Sequence, residues 1–118
     1  MLKFRNSRGW KLFQFGSYRI ELWYFPSGFF IERHAHPNEN IEVLYLFGDV
    51  FFHREDSKDK NNYAEWLSTG FPRFLSLPAG YIHWFNVGKW PLIAINFSRF
   101  IDTNIPISAS EDIIFTKE

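Results

Sequence analysis

The chain has only four histidines, at positions 34, 36, 53 and 83, and a single residue separates the first two. Successive side chains of a β-strand point to opposite faces. His34 and His36 therefore project to the same side, roughly 6.6 Å apart along the strand. That spacing lets both imidazoles share one ion. A third nitrogen must come from elsewhere in the fold. His83 closes the run Pro-Ala-Gly-Tyr-Ile-His, just after a turn able to aim a strand back inward. The chain has no cysteine, which excludes disulfides, thiolate ligands and a thiol nucleophile, so any metal is held by nitrogen and oxygen. Neutral imidazole suits zinc, iron, nickel, copper and manganese alike, so the ligand type does not name the metal. His53 is followed by Arg54, Glu55 and Asp56, reads as a surface residue and is left out of the site.

The elements that must carry these residues are short and numerous. Period-two patterns and turn residues predict strands over 10–15, 18–25, 29–36, 41–47, 50–54, 73–77, 81–87 and 90–97. Residues 63–67 read as a strand or a single helical turn, and 113–116 as an edge strand or a strand pairing with a second subunit. In 29–36, parity puts Phe30, Glu32, His34 and His36 on one face. Glu32 is then a candidate pocket base, or an acceptor that fixes an imidazole tautomer. In 81–87, Tyr81 and Phe85 share the face of His83, and Tyr81 is a second candidate for proton transfer. Tyr45, Trp84 and Asn96 are further candidates to line a cavity. The polar stretch Glu55 to Asn62 reads as a solvated loop.

Composition agrees with an all-β chain. Among 118 residues, 46% are hydrophobic and 21% aromatic, and large flat side chains favour pleated surfaces over helices. Thirteen basic residues balance thirteen acidic ones without a long block of either sign, so no footprint for a phosphate backbone exists and nucleic acid is not expected. No apolar stretch is long enough to cross a bilayer as a helix, and the start lacks the apolar run of a secretory signal. The expectation is one domain over 1–118, with a barrel over roughly 10–100 and a tail over 101–118, in a cytoplasmic protein that does not engage membranes. Pattern alone leaves sandwich and barrel open.

Two segments resemble the motifs of the cupin family. Gly28, five further residues, then His34-Ala35-His36 match the opening of the first motif, with Gly48 at its closing glycine. Pro78, Gly80 and His83 match the second in order. The resemblance covers residues 28–86, about half of the chain. It implies a cupin-type jelly-roll barrel, a double-stranded β-helix, holding one divalent transition metal through His34, His36 and His83. The departures are specific. The family glutamate should fall at position 40 or 41, where this chain has Asn40 and Ile41, with glutamates at 39 and 42. A one-residue bulge would bring Glu42 to the metal, and Glu42 is the favoured fourth ligand. Asn40, Glu39 and water remain alternatives. Gly70 stands farther before Pro78 than the motif asks, and Asn86 arrives one residue early.

The resemblance implies a metal-dependent enzyme of dioxygenase or isomerase/lyase type, acting on a small polar metabolite with iron, manganese, nickel or zinc. The alternative is a non-enzymatic cupin that binds a carbohydrate or another small ligand. Small cupins commonly dimerise, and the apolar segment Ile113-Ile114-Phe115 gives this chain an edge at which a homodimer could form.

Overall fold

The computed structural model describes residues 1–55, 62–67, 73–101 and 112–116, with the backbone alone for 62–67 and 73. All its regular structure is strand: β1 (Leu2–Phe4), β2 (Ser7–Phe15), β3 (Tyr18–Phe25), β4 (Phe30–Ala35), β5 (Glu39–Phe47), β6 (Val50–Glu55), β7 (Asn62–Leu67), β8 (Arg73–Leu77), β9 (Ile82–Val87), β10 (Leu92–Phe100) and β11 (Ile114–Phe115). Among the described residues no helix is long and apolar enough to cross a membrane. Residues 63–67, open between strand and helical turn in the sequence, lie in a strand. Strand β1 carried no pattern that announced it. Of the polar loop expected from Glu55 to Asn62, Glu55 ends β6 and Asn62 opens β7, while 56–61 and the position of Gly70 lie outside the described residues.

The strands form two antiparallel sheets. The six-stranded sheet runs β1-β2-β3-β10-β5-β8 and the five-stranded sheet runs β11-β4-β9-β6-β7. Neighbours in sequence therefore often belong to different sheets, the interleaving of a jelly-roll barrel. The inner faces bury one apolar core, with Trp23, Leu44, Leu46 and Ala94 from the larger sheet and Ile31, Phe52, Phe85 and Val87 from the smaller. Gly48 and Gly80 hold two of the turns that need glycine. Gly48 joins β5 to β6 at φ 149°, and a Cβ there would meet the Pro91 carbonyl oxygen at 2.6 Å. Gly80 has φ 87° in the turn leading to β9.

Two bulges set the geometry near the histidines. In β4, Ile31 faces Phe85 and His34 faces His83, so three steps on one strand oppose two on the other. The parity changes at Glu32 and Arg33: Ile31 and His34 both point inward, and Glu32 turns outward. In β5, Ile41 and Val43 face Ser98 and Phe97, which leaves Glu42 as the extra residue. Ile41 and Leu44 are buried on either side of the exposed pair Glu42 and Val43.

Candidate metal centre

His34 lies on β4 directly opposite His83 on β9, and His36 follows at the end of β4. Ring centroids are 4.0 Å apart for His34 and His83, 5.1 Å for His34 and His36, and 5.0 Å for His36 and His83. One nitrogen from each ring falls within 4.8 Å of the others, and all three side chains are buried. Three buried histidines this close could hold a metal ion.

The rings are oriented by the main chain. The Nδ1 of His34 is 2.7 Å from the carbonyl oxygen of Glu32, and that of His36 is 2.6 Å from the carbonyl oxygen of Asp112. His83 Nδ1 faces the carbonyl oxygen of Tyr81 at 3.3 Å. A carbonyl can only accept, so each Nδ1 carries the proton and donates. Each Nε2 then carries the lone pair and not the proton, the state of a metal ligand. Burial reinforces this. The pKa of His34 drops to about 3, first through desolvation and then through the neighbouring His36. That of His83 falls well below the usual histidine value, through desolvation and then the charges of His34 and His36. Both rings are neutral at physiological pH, and the donor set fits a divalent transition metal.

The strand end that carries His36 is tied down on two sides. The Gly80 amide donates to the His36 carbonyl at 3.0 Å, and Asn40 Oδ1 accepts from the Ala79 amide at 3.2 Å. These contacts join the His36 turn to the turn before His83. On the other side Asp112 is buried and its carboxylate accepts three hydrogen bonds, from the amides of Asn38 and Glu39 at 2.9 Å and 2.8 Å and from Asn38 Nδ2 at 3.1 Å. No motif pointed to Asp112. Only its place beside the apolar run that forms β11 could have drawn attention to it. Strand β11 pairs with β4 opposite Ala35 and His34.

The carboxylates proposed from the sequence fall elsewhere. Glu42 occupies a bulge, as foreseen, but the bulge turns it away from the histidines: it is 46% exposed and 3.8 Å from Arg99. The bulge in β4 likewise sends Glu32 outward, where it pairs with Arg5 at 2.6 Å and that hydrogen bond holds its carboxyl below the usual range. Glu32 still fixes a histidine tautomer, through its main-chain oxygen. Tyr81 precedes β9 and also contributes its carbonyl, and its ring is not among the cavity walls. Glu39 is fully buried, with Oε1 4.0 Å from His36 Nδ1, on the protonated side of that ring. Burial pushes its pKa up to about 8, against the opposing pull of the Ser98 hydroxyl. His53 stays outside the site, with its ring stacked on Trp84 at 4.7 Å.

Beside the histidines lies a cavity with about 80 Å³ of room for water-sized molecules. Its walls are aliphatic and aromatic, Leu44, Leu46, Leu77 and Phe52 among them, and Asn96 and the three histidines bring the polar atoms. Phe85, on the face of His83 by parity, lines it, and so does the further candidate Asn96. Tyr45 instead packs on Phe74, with ring centroids 5.2 Å apart, and the Trp84 ring lies under the Arg33 guanidinium at 4.7 Å.

No protein-family model matches the sequence, and no curated protein matches it. Solved structures match in fold. Recombinant oxalate oxidase in complex with glycolate aligns with a TM-score of 0.67 at 19% identity, over 92% of this chain and 54% of that one. The capsular polysaccharide assembling protein CapF from Staphylococcus aureus aligns with a TM-score of 0.73 at 17% identity, over 100% of this chain and 34% of that one. A conserved protein with a double-stranded beta-helix domain from Klebsiella pneumoniae aligns with a TM-score of 0.60 at 11% identity, over 100% of this chain and 90% of that one. The chain thus spans about half the length of the oxalate oxidase chain and a third of CapF. Two facing antiparallel sheets in interleaved order, and these likenesses, identify the chain as a cupin in fold, a double-stranded β-helix barrel.

Proposed function

We propose that His34, His36 and His83 hold one divalent transition-metal ion through their Nε2 atoms, and that the chain is a metal-dependent enzyme acting on a small molecule in the adjoining cavity. One observation carries this reading: three buried imidazoles converge within 4.8 Å, each with Nδ1 turned to a main-chain oxygen. Three protein ligands leave coordination positions open, as catalytic sites require and closed structural sites do not. A bound ion of this kind supplies Lewis-acid chemistry, or electron transfer if the metal is redox-active, which suits isomerase/lyase or dioxygenase activity respectively.

The chain's own residues bind and enclose the ligand. The apolar walls exclude water and take an apolar body, while the Asn96 amide orients a polar end directed toward the histidines. The substrate class this favours is a small metabolite with one chelating polar end. Neither Glu32 nor Tyr81 has a side chain in the cavity wall, which argues against either as the proton-transfer group. Among the described residues no carboxylate lines that wall, which favours a second reading, a binder of small ligands without turnover.

Elemental analysis of purified protein tests the first claim. About one transition metal per chain is expected, and its loss in His34→Ala and His83→Ala. A wild-type chain that takes up none of iron, manganese, nickel or zinc removes the proposal. Incubating the loaded protein with small carboxylic acids, oxalate and glycolate included, then separates the two readings: altered product marks an enzyme, unaltered bound acid a binder.

A further inference from the structure

Strand β1 ends one edge of the larger sheet and β11 one edge of the smaller. Both reach the cavity: Phe4, the last residue of β1, and Ile113, just before β11, belong to its wall. Trp23, Leu44, Phe52, Phe85 and Ala94 of that wall lie on strands paired along both sides, which cannot part without breaking two ladders. No ladder joins β1 to β11. The pairing that holds each of them is short, three residues of β1 against β2 and two of β11 against β4. Elements with so few main-chain bonds open first.

Side chains close this seam. The rings of Phe4 and Phe115 stack with centroids 6.5 Å apart. The Arg5 guanidinium stands 5.0 Å from the Phe4 ring and 5.3 Å from that of Phe115. Its Nη1 also pairs with Glu32 at 2.6 Å and donates to the Phe30 carbonyl at 3.3 Å. One cation from the larger sheet thus grips β4 and β11 of the smaller. Arg5 does so from a backbone φ of 57°, the only positive value at a non-glycine among the described residues. That conformation disfavours a side chain, and it persists where the surroundings over-determine it.

We infer that a small molecule reaches the histidines through the seam between β1 and β11, with Phe4 and Phe115 as its two leaves and Arg5 as its latch. This rests on the proposal that the cavity receives a ligand. The seam opens beside the site, because Phe115 lies opposite His34 in the β4–β11 register, with ring centroids 6.0 Å apart. The latch releases easily. Arg5 and Glu32 are 39% and 52% exposed, so water takes over both charges at little cost.

Diethyl pyrocarbonate on the metal-free full chain tests the route, since it acylates the unprotonated imidazole nitrogen and fragmentation mass spectrometry locates each product. His53, stacked on Trp84 outside the cavity, serves as the internal reference. In Arg5→Gln and Phe115→Ala the initial rate at His34 should rise about tenfold relative to His53, the combined scale of a surface ion pair and a cation–π contact. Arg5→Gly separates access from stability. Glycine suits the left-handed backbone, so His34 should react faster with no matching loss in urea titration. Arg99→Gln, which breaks a surface pair with Glu42 instead, should react as wild type does. An unchanged His34 rate in Arg5→Gln and Arg5→Gly overturns the inference. So does a rise that Arg99→Gln shares, or one that only follows the loss of urea stability. Access is read without metal, so failure of the route and failure of the metal centre show in different measurements.

Discussion

His36 Nδ1 lies 2.6 Å from the main-chain oxygen of Asp112, a residue 76 positions further along the chain. A segment remote in sequence thereby fixes the orientation of a ring on which the proposed metal site depends. The carboxylate of Asp112 holds that segment against the Asn38 and Glu39 amides, and Ile113 beside it forms part of the cavity wall.

Asp112→Ala keeps the main-chain acceptor but releases its clamp. The abandoned amides cost about 1–3 kcal/mol of stability, and metal affinity should fall by about 10- to 100-fold, the usual effect of loosening a group behind a ligand. Asp112→Asn, which retains one acceptor oxygen, should lie between. Urea titration and competition with a chromophoric chelator give the two quantities. Wild-type affinity in Asp112→Ala would remove Asp112 from the site's support.

Metal binding to the native state alone adds about 2.7 kcal/mol of stability at a hundredfold excess over Kd, and so raises the unfolding temperature with ligand concentration. Added zinc or manganese should therefore stabilise chelator-treated wild type and leave His34→Ala and His83→Ala unmoved in differential scanning calorimetry. Equal shifts in all three proteins would mean that the ion binds elsewhere.

Glu42→Gln and Glu32→Gln should leave metal content intact and change stability by less than about 1 kcal/mol, since both carboxylates are about half exposed and paired with arginines at the surface. Metal loss in Glu42→Gln would restore that residue as a ligand.

The pH dependence of the metal-free protein has two limbs. His34 titrates near pH 3 when folded and His83 well below its ordinary value. Below about pH 6.5 the unfolded chain therefore takes up protons that the folded one refuses, and stability falls as pH drops from 6.5 toward 3. Glu39 has the opposite sign. Its folded pKa of about 8 lies above the ordinary 4.5, so its contribution is complete below pH 4.5 and is lost as pH rises through 8. Stability should peak near pH 6.5. Glu39→Gln should flatten the alkaline limb in urea titrations from pH 4 to 9 and steepen the acid limb between pH 4.5 and 6.5, where Glu39 opposes the histidines, and an undiminished alkaline decline would refute the assignment.

The three histidines were legible because period-two spacing and the turn before His83 survive folding unchanged. The proposed carboxylates were not, and the reason is the same in both cases. A bulge adds one residue without any side-chain signature, and parity counted through it places the next residue on the wrong face. Glu32 was counted forward to His34 across the bulge in β4, and Glu42 was assigned by the bulge in β5 but to the wrong side. On β3 the alternation was visible, but composition could not say that the charged face turns inward, because the Arg19–Glu21 pair that permits it forms only on folding.

All three rings take their orientation from peptide oxygens, those of Glu32, Tyr81 and Asp112. No side-chain replacement at those positions deletes the acceptor itself. A lineage of such barrels can therefore exchange nearly everything around the imidazoles and keep their aim, leaving ligand choice to the shape of the hydrocarbon walls.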